Sequence, residues 1–527
     1  MLVRFAAILL AFVSATRQAP SAHAQEAARE IPPPIGPYAG LKDDDFALAR
    51  SFHGDDHIVM THYFYWYDVE SKAHLVNPDG SDALTTHPAS MEGFSYKSVA
   101  WHKQQLSDMI AAGIDVVLPV YWGAPSDRDP KAPLHWSFGG LTALVQAAEE
   151  LIRAGKPTPR IGLFYDTTTL RHNAWGVHVD LTTEFGKRWF YASIRDFFSL
   201  IPPKLWAMID GRPIVVLYTA EFAKALDQSC IDFVREQFPR QFAGRVPYIV
   251  REASWPVRAD NVYAWGGAVH PSILGIAEIG PGYDHSNVPG RQPLVVPRAG
   301  GTFYESAWLK VLRRAPQIVA IETWNEYHEG TDISESREYG RRYIGLTRKF
   351  VDRFKSGLSP VAEPGPYTGA KSVEVILGEH DRASGLRHAE HEDGRTATAV
   401  AGGRACRVTQ RKGKPVSYLY FQIDDSFKWA RAMDVVVEVE FFDGDTGSFT
   451  VQYDAHDPAA PFDGAYKAAS EVVHMKGTDT WITSKFLLQQ ARFANSQNAD
   501  ADFRIAADAP ELFVRRVTLT RIVSPAR

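Results

Sequence analysis

Between His57 and Thr323 the chain alternates short apolar runs with longer amphipathic stretches, and this alternation restricts the fold more than any other feature of the sequence. Eight runs read as strands: His57–Tyr67, Ile114–Trp122, Arg160–Asp166, Arg212–Tyr218, Val246–Arg251, Asn261–Trp265, Leu274–Ile279 and Gln317–Thr323. Leu141, Leu144, Val145, Ala148, Leu151 and Ile152 recur at helical spacing ahead of Gly155, and Val99, Leu106, Met109 and Ile110 do so ahead of Gly113. A third helix is predicted over Phe222–Phe238. The connections Arg251 to Asn261 and Trp265 to Leu274 are shorter than the roughly dozen residues a parallel crossover takes, so helices there are expected to be rudimentary, or the strand limits to shift. Eight strands with helices between most of them predict an α/β fold, a (β/α)8 TIM barrel over residues 57–356, with a doubly wound open sheet as runner-up.

On either side the pattern changes. Ser359–Pro366 is proline-rich and reads as part of a linker at 357–370. Beyond it the period becomes two: Tyr418–Ile423, Val435–Phe441, Phe449–Tyr453 and Val514–Leu519, with turns at Asp443–Asp445 and Lys476–Gly477, predict an all-β, jelly-roll-like sandwich at 371–527. Asp479–Trp481 or Asp502–Arg504 are candidates to line a glycan-binding face on it, against a plain structural role. At the other end, Arg4, the apolar Phe5–Val13 and small Ala22 and Ala24 before Gln25 predict an export signal at 1–24, followed by a proline-containing lead-in at 25–56. That apolar run is far short of the about 20 residues a bilayer span needs, so a periplasmic or extracellular protein with no stable membrane span after signal removal is expected.

Composition narrows the chemistry. With 57 Lys and Arg against 62 Asp and Glu the net charge is −5, and no basic run occurs, so nucleic acid is not an expected partner. Cys230 and Cys406 stand alone, outside any CxxC pattern, which excludes a disulfide scaffold and a thiolate zinc site. The histidines show no HExxH spacing and no glycine-rich phosphate loop follows a strand, so neither a metal nor another cofactor is expected.

In a barrel of this kind the reactive groups sit where strands end. The eighth run opens into Trp324–Thr331, placing Glu326 and Glu329 just past an apolar strand and in a segment that turns at Gly330. Paired carboxyls suit glycosidic bond hydrolysis, in which one protonates the leaving oxygen and the other acts as base or nucleophile; capping of a following helix is the competing reading. Tyr63 and Tyr65 share a strand face and could stack on sugar rings or pack the core. Trp122 and Asp166 end the second and third strands, Asp166 either binding a sugar hydroxyl or capping the next segment. Asn325 is expected to orient Glu326 or a substrate hydroxyl, while Tyr218 and Arg291 are weaker candidates.

The stretch Trp324 Asn325 Glu326 Tyr327 His328 Glu329 Gly330 Thr331 resembles the W-N-E-W-H-E-G-T signature of glycoside hydrolase family 99, the endo-α-1,2-mannosidases and mannanases. His62–Tyr67, Ala112–Val117, Gly211–Tyr218 and Gly280–Asp284, which brings in Tyr283, resemble further segments of that family in the same order. The resemblance implies a barrel and a retaining enzyme acting on an oligo- or polysaccharide, with Glu326 as base toward the sugar's own 2-hydroxyl and Glu329 as acid. Tyr327, Asp166 and Asp332–Ser334 depart from the family pattern, leaving the sugar unassigned. A catalytically silent carbohydrate-binding protein of the same fold is the alternative, disfavoured because both carboxylates are present.

Overall fold

A computed structural model describes residues 30–522 except 126–134, 293, 357–364, 412, 429–431, 456, 458, 459 and 461–463. The export signal and residues 357–364 of the expected linker lie outside the described residues. Two compact units emerge: one runs to Trp308 and resumes over Pro316–Lys355, and the other takes Leu309–Ala315 and the chain from Ser356.

The first unit is built on parallel strands β1 (Ile58–Tyr63), β2 (Val116–Tyr121), β3 (Leu163–Tyr165), β4 (Arg212–Leu217), β5 (Tyr248–Glu252), β6 (Asn261–Tyr263), β7 (Ala277–Ile279) and β8 (Ile318–Ile321). Every residue of β1, β2 and β8 is buried, so none of these strands alternates polar with apolar; β2 and β8 are apolar throughout, and β1 is broken only by the buried Thr61 and His62. Neighbours in sequence are neighbours in space from β1 to β6, and β8 pairs with both β1 and β7. That order belongs to a nearly closed barrel and sets the doubly wound alternative aside. Between β6 and β7 the seam is bridged by Ile276, whose backbone N–H donates to the Val262 carbonyl at 2.9 Å.

Helices α1 (Val99–Ala112), α2 (His135–Arg153), α3 (Glu184–Ser199), α4 (Gln228–Gln241), α5 (Thr302–Arg314) and α6 (Arg342–Lys355) follow from local chemistry. Ser98 caps α1 by accepting from the Trp101 N–H, and Gly113 ends it at φ 89°, a conformation that suits a residue without Cβ. The helix expected from Phe222 instead starts at Gln228, because the Asp227 side chain accepts from the Ser229 N–H and fixes the first turn there. Among the described residues no helix joins β5 to β6 or β6 to β7. After β5, Trp255 covers the gap: fully buried, it donates from Nε1 to the Tyr218 carbonyl at 2.6 Å and stacks on Phe190 at 6.0 Å. A single indole therefore does the covering work of a crossover helix, which is how parallel strands are joined by so short a segment.

The second unit is β-rich. Its two antiparallel sheets, one of seven strands and one of five, contribute to a shared apolar core that includes Leu419, Phe421, Val437, Val439, Phe449, Val451, Phe486, Phe503, Val517 and Leu519. No helix among the described residues is long and apolar enough to cross a membrane.

Candidate active site

The β8 strand leads directly into a loop locked on both sides. The Thr323 N–H donates to the Thr331 carbonyl at 3.0 Å and their hydroxyls meet at 2.9 Å, which closes the segment between them. Asn325 spends its side-chain amide on β1's continuation, accepting from the Phe64 N–H at 2.8 Å and donating to the Phe64 carbonyl at 2.6 Å. It thereby extends the β8–β1 pairing through a side chain and positions the residue after it. The Tyr67 hydroxyl donates to the Asn325 carbonyl at 3.1 Å and accepts from the Tyr327 N–H at 3.0 Å, clamping the backbone on either side of Glu326.

Glu326 is buried. Its Oε1 faces His328 Nδ1 at 2.6 Å, while its Oε2 has no protein partner. Burial is the main cause of its raised pKa, with His328 pulling the other way and the Glu329 charge adding to the rise. Glu329 is held differently, with Arg291 Nη1 donating to its Oε1 at 2.7 Å. The same nitrogen lies 3.4 Å from the Tyr283 hydroxyl, and the Tyr283 hydroxyl meets His285 Nδ1 at 3.0 Å. Two carboxyls on one loop are thus placed in different environments.

Around them lie other strand ends. The Tyr218 hydroxyl is held well above the ordinary phenol range by burial and then by the Asp166, Glu329 and Glu322 carboxyls, while Arg291 opposes the shift. Asp166 caps the turn after β3, accepting from the Thr168 N–H at 3.0 Å, and also takes the Trp122 indole N–H at 2.5 Å. The capping role weighed from the sequence is therefore present, and it orients Trp122. Tyr63 and Tyr65 are elsewhere. Tyr63 meets His102 Nδ1 on α1 at 2.9 Å, Tyr65 donates to the Ser137 carbonyl on α2 at 2.8 Å, and neither is exposed. Both pack helices against the barrel, because the residues of β1 that face inward are of the opposite parity. His62 reaches Glu278 at 3.1 Å and lies 4.5 Å from the Phe164 ring and 5.0 Å from Trp265.

Two further carboxyls were missed in the sequence. Glu322, immediately after β8, accepts at Oε2 from the Gly266 and Gly267 N–H groups at 2.7 and 2.8 Å. Burial, helped by the Glu329 charge, pushes its pKa up to about 8 despite those donors. Glu278 on β7 is pushed well above the usual carboxyl range by burial and then by Glu322, and burial lowers the His62 imidazole to about 3. The available signal was a glutamate within one short apolar strand, Glu278, and another immediately after a second, Glu322. Among the described residues no group of three or more His, Cys, Asp or Glu could hold a metal ion.

Fold and loop together define a nearly closed parallel barrel with a carboxyl pair past its eighth strand. The chain belongs to the family described as Domain of unknown function (DUF5010), whose model matches residues 45–364. It is 33% identical over 98 residues to a glycoprotein endo-alpha-1,2-mannosidase-like protein of Mus musculus, covering 16% of this chain and 22% of that protein. The Homo sapiens protein of the same name is 38% identical over 98 residues, covering 16% and 21%. These matches span about a fifth of the relatives' own length. A GH99 endo-alpha-mannosidase structure, crystallised with Bis-Tris-propane and described as from Bacteriodes thetaiotaomicron, aligns with a TM-score of 0.43 at 16% identity, over 58% of this chain and 99% of that one.

Proposed function

We propose that the chain is an exported glycoside hydrolase of the periplasm or extracellular space. It cleaves an oligo- or polysaccharide at the mouth of a (β/α)8 TIM barrel and carries a jelly-roll-like sandwich as an accessory module. The observation that supports this most is the division of labour on one loop, with Glu329 held by Arg291 and Glu326 held through one oxygen by His328 while the other is unpartnered. In the reading, Glu326 Oε2 takes the proton of the sugar's 2-hydroxyl, the freed oxygen attacks C1, and the C1–leaving-oxygen bond breaks as Glu329 gives that oxygen its proton. Arg291 stabilises the carboxylate then left on Glu329. Water next attacks C1 and loses its proton to Glu329 as the bond between C1 and the 2-oxygen breaks, and Glu326 returns its proton to that oxygen; two inversions give retention. Tyr218, Tyr283 and Trp122 line the sugar site. Endo action on an α-linked chain is the expectation supported by the names of the matched relatives.

The observation behind the second reading, a silent carbohydrate-binding barrel, is that Arg291 occupies Oε1 of Glu329, the carboxyl assigned as the acid. Incubating the purified protein with a panel of α-linked glycans and measuring new reducing ends separates them. The enzyme releases ends that disappear with Glu326→Gln. Binding without release by the wild type overturns the hydrolase.

A further inference from the structure

The second unit carries a guanidinium that no carboxylate contacts directly among the described residues; Asp393 reaches it only through the Tyr420 hydroxyl. On the five-stranded sheet, Phe503 and Ile505 face the core, so Arg504 between them faces outward, in a cross-strand row with Tyr420 on one side and Gln452 on the other. Its guanidinium donates from Nη1 to the Tyr420 hydroxyl at 2.7 Å and from Nε to Gln452 Oε1 at 2.7 Å, both neutral acceptors. The Tyr418 ring lies 3.8 Å and the Tyr466 ring 4.2 Å from the guanidinium carbon. Among the described residues no carboxylate makes an ion pair with Arg504, whereas Arg404 and Arg515 on the other sheet both pair with Glu440. The acid nearest in this network, Asp393, is taken up by His391 Nδ1 at 2.6 Å, the Tyr420 hydroxyl at 2.9 Å and Asn498 at 3.2 Å. Arg387, exposed and paired in register with Gln422 on the same face, adds a second positive charge.

A guanidinium stacked between rings and anchored through two of its nitrogens has lost its conformational freedom before any ligand arrives, and Nη2 is the nitrogen left to donate. Its complement is an anion carried on a flat, CH-faced body: the carboxylate supplies charge and paired acceptors, and the body lies along the tyrosines. We propose that this face binds the uronate residues of an acidic polysaccharide, with the sugar carboxylate on Arg504 and the pyranose ring against Tyr418. This goes beyond the reading of the barrel and does not depend on cleavage.

The test uses the full chain carrying Glu326→Gln, so that no polymer is consumed, titrated calorimetrically with alginate, polygalacturonate, dextran and xylan. A uronate polymer shows binding that depends on Arg504, and the neutral ones show none that does. Arg504→Gln and Tyr418→Ala each weaken binding about tenfold or more, Arg504→Lys weakens it less because charge persists without the fork, and Arg404→Gln leaves it unchanged. Unfolding midpoints are recorded for every variant; Arg504→Lys, which keeps the charge, decides the matter where Arg504→Gln does not fold. Dextran or xylan binding that Arg504→Gln weakens as much as it weakens uronate binding overturns the carboxylate assignment. Uronate binding that persists in Arg504→Gln, or no binding to any of the four polymers, overturns the site. Reducing-end release by the wild type bears only on the barrel, so failure of one proposal is distinguishable from failure of the other.

Discussion

Glu326 and His328 hold one proton between them. His328 Nε2 lies 2.9 Å from the His74 carbonyl, which can only accept, so that nitrogen carries hydrogen. The 2.6 Å contact from Nδ1 to Glu326 Oε1 then requires either an imidazolium facing a carboxylate or an imidazole facing a carboxylic acid. In both cases Oε1 is committed to the ring, and Oε2 is the oxygen through which Glu326 meets a substrate.

If the two loop carboxyls act as a unit, Glu326→Gln and Glu329→Gln each lower the rate of reducing-end release by roughly 10² to 10⁴ while glycan affinity persists, and the double variant loses far less than the product of the two. A 2-deoxy glycan resists cleavage. A covalent sugar trapped on Glu326 would overturn the base assignment in favour of displacement by the carboxylate itself.

Glu322 makes stability depend on pH in a definite direction. Its pKa is about 8 in the folded chain against an ordinary 4.5, so between those values the unfolded chain has released a proton that the folded chain retains. The stability this group contributes is complete below about pH 4.5 and is lost as pH rises toward about 8, by on the order of a few kcal/mol. Glu322→Gln keeps an acceptor for Gly266 and Gly267 without the titration. Its melting temperature relative to wild type is therefore expected to climb from pH 4.5 to pH 8; a difference that stays flat across that range contradicts the raised pKa.

Tyr67→Phe removes one hydroxyl and leaves the ring in place against Phe94, 5.0 Å away. The buried Asn325 carbonyl and Tyr327 N–H each lose a partner, at a cost of about 1–3 kcal/mol. Activity is expected to fall by more than the melting temperature suggests, because the backbone holding Glu326 is what loosens. Denaturant midpoints and turnover measured on the same preparation decide it.

A Cβ on Gly267 would stand 2.5 Å from the Glu278 carbonyl carbon, backbone that cannot swing aside. Gly267→Ala is expected to destabilise by about 1–3 kcal/mol or more. Gly345→Ala, within α6 and with nothing within 4 Å of the new carbon, is expected to be neutral or stabilising by up to about 1 kcal/mol. Equal melting temperatures for the two variants would contradict the close approach at Gly267.

The barrel strands were legible because most of them are short runs dominated by buried apolar residues, as strands covered on both faces require. The residues between them were less so. A period of two showed that Tyr63 and Tyr65 share a face, but parity alone does not say which face looks inward; the His62–Glu278 contact settles that, and it spans 216 residues. The start of α4 depended on Asp227, one residue among several polar ones in that stretch. Glu326 and Glu329 were legible from spacing and resemblance, whereas Glu278, inside β7, and Glu322, directly after β8, were each hidden as a lone carboxyl in or beside an apolar run.

The seam of the barrel bears on how the site breathes. Across β6 and β7 the Ile276 amide is the bridge, and the second tie is the Glu322 carboxyl on the amides of Gly266 and Gly267, the residues that follow β6 by way of Ala264 and Trp265. Amide exchange at Ile276, Gly266 and Gly267 therefore reports a single local opening, earlier than the amides of β1 and β2 release theirs. Because Glu322 is one of the fasteners, each change in its ionisation alters how often the wall parts, and solvent entry between β6 and β7 becomes coupled to the protonation of a carboxyl beside Glu329.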